Sequence, residues 1–323
     1  MAATPAVQAS RRLGAEVKAL GFTIVNVTEI EGCTTIDAGP DPALDCARQG
    51  NPGAAPGHST AEAVHGLLNC LGPSRRRASM VGHGTEGIIT TGAGQSGNDS
   101  NSYIGLLNQP DWQPHVSRLN AQVDRLSLWA CYAGAGEKGA QFLHNVARVV
   151  DGAVAGPNGL VCCENGTLYL ETDSTWQVAT PSHRPRPIPI AAVGVAEVVS
   201  RMTLREGEGW AMVSVGQVAA LRYERLSREP NHDLAPVELT GREAQRLVGM
   251  VDFSTPVALP GHPLALVTGR ILITLETGGK TGTEAPGRRE FVILGDRLLQ
   301  DVYDSSVYYR ASETFARSLA SLR

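Results

Sequence analysis

Two residue types able to do covalent and proton-transfer chemistry stand where apolar runs break off. The run Leu126-Ser127-Leu128-Trp129-Ala130 ends at Cys131 and is followed by Tyr132, Ala133 and Gly134. Upstream, Ala78-Ser79-Met80-Val81 runs into Gly82, His83 and Gly84. Both patterns read as buried strands that stop at the rim of a sheet and turn into loops. In a parallel sheet, chemistry gathers beyond the carboxyl ends of the strands, so a thiol and an imidazole delivered there form a candidate nucleophile and proton carrier.

Met80-Val81-Gly82-His83-Gly84 followed about fifty residues later by Leu128-Trp129-Ala130-Cys131 resembles the caspase-fold cysteine peptidases of clan CD, in which the histidine block precedes the cysteine block. Gly139 to Leu143 and Gly152 to Gly156 are similar to bacterial caspase-like domains, where a helix follows the cysteine loop and feeds another strand. The resemblance covers residues 20 to 180. It implies Cys131 as nucleophile, His83 as general acid and the backbone N–H groups of Gly84 and Cys131 as oxyanion donors, with a thioester intermediate and no cofactor. The Gln-Ala-Cys-Arg-Gly signature of true caspases is here Trp129-Ala130-Cys131-Tyr132-Ala133, so aspartate specificity does not carry over.

The elements that must position this pair follow from patterning. Ser59-Thr60-Ala61-Glu62 is a capping box, with Val64, Leu67, Leu68 and Leu71 on one helical face and Gly72-Pro73 as the stop. A second helix is expected from Glu137 to Val150. Farther upstream a helix over 10–20 and a strand over 22–27 are expected, and residues 31–58, rich in Gly, Pro and Asp, read as one long loop. Thr167 to Leu170 and Trp176 to Ala179 could pair as a hairpin. The alternation argues for an α/β fold with a mainly parallel sheet and helices on both faces over residues 1–180.

The prolines of Pro181 to Pro189 mark a linker, and residues 190–323 form a C-terminal α+β region whose role the residues do not disclose. There, Ile190 to Met202 and Gly216 to Leu226 read as helical, Pro263 to Leu275 and Glu290 to Leu294 as strands, and Ala311 to Leu322 as a last helix. Self-cleavage is conceivable in the linker or in the loop Thr277 to Arg289.

With 323 residues the chain has ample length for a core, and a formal charge of −4 gives no reason to expect nucleic acid or an anionic membrane as partner. The amino terminus lacks a signal-peptide pattern and no apolar stretch is long enough to span a membrane, so a cytoplasmic protein is expected. Six cysteines without a Cys-x-x-Cys pair suggest reduced, mostly buried thiols and no structural metal. The expected partner is a protein or peptide substrate, with a regulatory protein implied by the resemblance alone. Trp129 and Tyr132 flank the thiol as candidate substrate contacts, and Glu164 and Asp173 are candidate acidic walls for a basic side chain. Against the peptidase stand a catalytically silent caspase-fold binding module and a dinucleotide-dependent enzyme. The latter would use Gly82-x-Gly84-x-x-Gly87, but Ile88-Ile89-Thr90-Thr91 is a poor first helical turn for that fingerprint.

Overall fold

The computed structural model describes residues 30, 32–73, 76–92, 99–170, 174–189, 201–206, 209–214, 217–226, 235–257, 259, 262–275, 288–295, 297–302 and 307–322. The helix expected over 10–20, the strand over 22–27 and most of the loop over 277–289 lie outside them. The chain divides into two compact units. One holds residues 1–191, 228–230 and 260–266, and the other 192–227, 231–259 and 267–323.

The first unit opens with β1 (Cys33–Asp37), α1 (Pro42–Gly50) and β2 (Ala55–Gly57). The expected long loop is thus a complete strand, helix and strand. Asp41 starts the helix: its Oδ1 accepts the N–H groups of Ala43 and Leu44 at 2.9 and 3.1 Å, and Pro42 in the first turn has no N–H to leave unsatisfied. Then come α2 (Thr60–Cys70), capped by Ser59 Oγ on the Glu62 N–H, and β3 (Arg77–Val81). Short strands β4 (Gly84–Thr85), β5 (Ile88–Thr90) and β6 (Tyr103–Gly105) pair antiparallel beyond β3. No helix opens after Gly82 to Gly87, which removes the dinucleotide reading. The chain continues through α3 (Gln109–Val116), β7 (Arg125–Trp129), α4 (Gly136–Val150), β8 (Ala153–Pro157), β9 (Val161–Glu164), β10 (Thr167–Leu170) and β11 (Trp176–Ala179). The last two do not form a hairpin together, since β10 pairs with β9 and β11 with β8.

The central sheet runs β11-β8-β7-β3-β1-β2, parallel throughout except for β11. In-register partners put Ala78 and Leu126, then Met80 and Leu128, on one face. That face is packed with Val64 and Leu67 of α2, Trp112 and Val116 of α3, and Phe142 and Val146 of α4. Each such side chain is worth about 1.5 to 3 kcal/mol when buried. α1 lies instead against β1 and β9. The strand order reverses between β1 and β3, which opens a crevice beyond their carboxyl ends.

In the second unit, β12 (Arg201–Glu206) and β13 (Gly209–Ser214) form an antiparallel pair. β14 (Val218–Arg225), β15 (Val237–Thr240), α5 (Gly241–Val248) and β16 (Val251–Val257) follow. Residues 260–266, with β17 (His262–Pro263), then cross into the first unit. The chain returns as β18 (Val267–Leu275), β19 (Arg288–Leu294), β20 (Leu298–Asp301), β21 (Tyr308–Ala311) and α6 (Glu313–Ser321). Its seven-stranded sheet, β15-β14-β18-β19-β20-β21-β16, is antiparallel, and Arg289 and Asp301 form a buried ion pair within this unit.

The molecule is therefore mixed α/β, and the mainly parallel sheet expected from the sequence is corrected. Parallel ladders are confined to the six-stranded sheet, while the seven-stranded sheet and the smaller ones are antiparallel. The helix expected over Gly216 to Leu226 is strand β14, held on both sides by β15 and β18. Met202, expected at a helix end, lies in β12, while residues 190–200 are outside those described.

Two disulfides correct the expectation of reduced thiols. Cys33 at the start of β1 is bonded to Cys70 at the end of α2, and Cys46 of α1 to Cys163 of β9, with Cα separations of 5.6 and 6.0 Å. Cys131 and Cys162, both buried, take part in neither disulfide. No described helix is long and apolar enough to cross a membrane.

Candidate active site

Val81 at the end of β3 and Trp129 at the end of β7 are direct neighbours across the parallel ladder. His83 and Cys131 each lie two residues further on, so adjacent strand ends deliver the imidazole and the thiol to the same rim. The turn after the thiol is sharp. Tyr132 sits in the left-handed region at φ 60°, a conformation that costs a bulky residue about 1 to 3 kcal/mol and that clusters at functional sites. Its N–H donates to the Gly159 carbonyl at 2.9 Å, which holds the bend.

His83 is fully buried, and both ring nitrogens face oxygen. Nε2 lies 2.5 Å from Asp41 Oδ2, and Nδ1 lies 3.2 Å from the carbonyl oxygen of Ala265. Both partners are acceptors, so whichever ring nitrogen carries a proton donates it to the oxygen beside it. The same Asp41 carboxylate caps α1 with its other oxygen. Burial pushes that carboxyl up, but the hydrogen bond and charge of His83, with the N–H groups of Leu44 and Ala43, outweigh it and hold Asp41 below the ordinary carboxylate value. Arg48 fastens the turn that carries Asp41 by donating to the carbonyls of Asp37 and Gly39. The sequence reading missed Asp41. Asp followed by Pro at the head of a helix is a start signal it could have used.

The Cys131 thiol donates to the Val161 carbonyl at 3.3 Å and accepts the Val161 N–H at 3.1 Å. The backbone N–H groups of Gly84 and Cys131 converge on a single oxygen, the carbonyl of Leu264, at 3.0 and 3.2 Å. Gly84 has no room for a side chain: a Cβ there would stand 2.7 Å from both Ala130 Cβ and the Cys131 carbonyl oxygen. Two donors fixed on one carbonyl oxygen lie beside a buried imidazole that is braced by a carboxylate.

His83, Gly84 and Cys131 are thus brought together. Trp129 is fully buried, its ring edge against Trp176 with centroids 4.9 Å apart, and acts as packing beneath the site. Tyr132 is also buried. Glu164 is exposed at the far end of β9, three residues beyond Val161, and does not wall the position next to the thiol. Asp173 lies outside the described residues. Among the described residues no three His, Cys, Asp or Glu side chains cluster as a metal site would require. Comparison of the chain with family models, with curated proteins and with solved structures gives no match.

Proposed function

We propose that the protein is a cysteine endopeptidase of the caspase-like type, with Cys131 as nucleophile, His83 as proton carrier and Asp41 as the residue that orients His83. The observation that carries this reading is the convergence of the Gly84 and Cys131 N–H groups on one peptide carbonyl. A binding module gains nothing from aiming two donors at a single oxygen next to a thiol.

In the reaction, His83 Nδ1 takes the Cys131 thiol proton as the sulfur attacks the substrate carbonyl carbon, and the oxygen takes up negative charge between the two N–H groups. The C–N bond breaks as His83 gives its Nδ1 proton to the departing amine, leaving a thioester on Cys131. Water then attacks the thioester, His83 takes up its proton, and the carboxylate leaves. Asp41 keeps Nε2 protonated throughout and so directs Nδ1 to the reacting atoms. The silent-module reading draws on one observation, that the thiol already bonds to Val161 and that protein backbone fills the place of a substrate.

The two disulfides oppose the expected cytoplasmic setting and favour an oxidising compartment. Treatment with a peptidyl electrophile followed by peptide mapping tests the proposal. Modification confined to Cys131, and lost in His83→Ala, is expected; a Cys131 that stays unmodified in the folded protein, or reacts equally without His83, refutes it.

A further inference from the structure

α4 starts just after the candidate active site, and its last turns meet α3 roughly 14 to 18 Å farther along the helix axis. Between the two helices lies an open cleft of about 340 Å³, lined by Gln109, Gln113, Ser117, Asn145, Arg148 and Val149. Gln109, Gln113 and Ser117 are spaced four apart and share one face of α3 and the turn after it. Asn145, Arg148 and Val149 share one face of α4 in the same way. The other faces of both helices are buried in the core through Trp112, Val116, Phe142 and Val146, and Trp112 Nε1 donates to the Gly105 carbonyl at 2.7 Å. Both walls of the cleft are therefore held from behind.

Side-chain amides join the walls head to tail. Gln141 Nε2 donates to Asn145 Oδ1 at 2.7 Å, Asn145 Nδ2 to Gln109 Oε1 at 2.8 Å, and Gln109 Nε2 to Gln113 Oε1 at 3.0 Å. An amide nitrogen carries two hydrogens, so Asn145 and Gln109 each keep one and Gln113 keeps both, while every amide oxygen of the cleft already accepts a bond. The Ser117 hydroxyl spends its hydrogen on the Pro114 carbonyl at 3.0 Å. Arg148 forms no ion pair among the described residues, and neither Asp nor Glu lines the cleft. The concavity thus holds a surplus of N–H donors, a positive charge and no competing carboxylate. A solvated helix end accounts for Arg148 alone, because a cation in the last turn suits the helix dipole. A clamp between two helices needs only the bond from Asn145 to Gln109. Neither accounts for spare donors gathered around one cavity.

We propose that the cleft between α3 and α4 is a binding site for a small hydroxylated carboxylic acid. The planar fork of Arg148 takes the carboxylate in two parallel hydrogen bonds, a geometry a lysine could not supply. The unspent N–H groups of Asn145, Gln109 and Gln113 donate to the hydroxyl oxygens of the ligand. Ser117 Oγ accepts a proton from one of those hydroxyls, and Val149 lies against the carbon chain. The volume is at the small end of the range for ligand pockets, about 300 to 1,000 Å³, which suits one acid of sugar size. The site uses neither His83 nor Cys131, so it stands or falls separately from the peptidase reading.

The test is isothermal titration calorimetry of the full chain with gluconate, and with sorbitol and inorganic phosphate as comparison probes. It is run on wild type, Arg148→Gln, Gln113→Glu and, as a control outside the cleft, the exposed Arg118→Gln, with circular dichroism to check each fold. Gluconate is expected to bind wild type and Arg118→Gln alike, one molecule per chain. Arg148→Gln should weaken binding by about 10- to 100-fold, the loss of a charge-assisted hydrogen bond. Gln113→Glu should also weaken it, because the new carboxylate repels that of the ligand. Sorbitol, which has the hydroxyls without the charge, and phosphate, which has the charge without the hydroxyls, should both bind more weakly than gluconate. The two cleft variants are independent, so loss of fold in one leaves the other to decide. The proposal is overturned if gluconate binds wild type no more tightly than about 10 mM, if neither cleft variant weakens it, or if Arg118→Gln weakens it equally. Sorbitol or phosphate binding as tightly as gluconate overturns the assignment to a hydroxylated acid.

Discussion

Asp41 does two jobs with two oxygens, and substitution separates them. In Asp41→Asn the amide oxygen can keep the N–H groups of Ala43 and Leu44, because asparagine caps a helix about as well as aspartate. The amide nitrogen then faces His83 Nε2, and a donor there forces Nε2 to accept, which fixes the ring's single proton on Nδ1 and leaves that nitrogen unable to take the proton of Cys131. A comparable loss of an orienting carboxylate in a Ser-His-Asp triad costs about 10⁴ in turnover, so a fall of about 10³- to 10⁴-fold is expected with stability changed by less than about 1 kcal/mol. Asp41→Ala loses the cap, worth about 1 kcal/mol, and also strips a buried imidazole of its acceptor, worth about 1 to 3 kcal/mol. It should therefore unfold at clearly lower urea than Asp41→Asn while being equally inactive. The assay pairs urea unfolding with the rate of hydrolysis of a fluorogenic peptide series. The pH dependence has a defined sign. Because the folded-state pKa of Asp41 lies below its unfolded value, its contribution to stability is complete above about pH 4 and is lost as pH falls through the folded pKa. Asp41→Asn should lack that acid-side loss. An Asp41→Asn variant that turns over like wild type would falsify the orienting role, and equal stability of the two variants would refute the capping argument.

Three further outcomes are expected. Gly84→Ala should abolish cleavage while Cys131 remains titratable by a small alkylating agent, because the new Cβ must displace either Ala130 or the Cys131 backbone and so misaim an oxyanion donor; cleavage kinetics and thiol titration check this. Thiol reductants, which commonly help cysteine peptidases, should here reduce activity once Cys46–Cys163 opens. That bond closes a loop with sequence separation 117, worth roughly 4 to 5 kcal/mol by chain entropy, and it ties the helix started by Asp41 to the strand that holds Val161; thermal unfolding and activity across a reductant series measure it. In the second unit, Arg289→Met should cost about 3 to 5 kcal/mol by leaving Asp301 buried without its partner, and the double change with Asp301→Leu should recover most of it in denaturant unfolding.

The parts of the site that local pattern could reveal were the strand ends and the long amphipathic helices. Met80-Val81 and Leu128-Trp129 are apolar enough to read as buried strands, and the capping box at Ser59 and the face Phe142, Val146, Val150 announce their helices. β1 was illegible because Cys33-Thr34-Thr35-Ile36-Asp37 alternates too weakly to stand out from a loop rich in Gly and Pro. β14 was misread because Ala219, Ala220 and Leu221 favour a helix; pairing on both edges overrides that preference. The disulfide partners are 37 and 117 residues apart in sequence, and spacing alone cannot choose among the possible pairings. Leu264 reaches the Cys131 N–H from 133 residues downstream through backbone atoms only, which no side-chain motif encodes.

The seven-stranded sheet is built from two runs of chain separated by the segment 260–266 of the first unit. β14, β15 and β16 precede β17 and β18 to β21 follow it, yet in the sheet β18 to β21 stand as one block clasped between β14 on one flank and β16 on the other. Both disulfides lie between Cys33 and Cys163, so no disulfide fastens this sheet. Backbone ladders do it instead, so the two runs should part only where denaturant breaks the β14–β18 and β16–β21 pairing together.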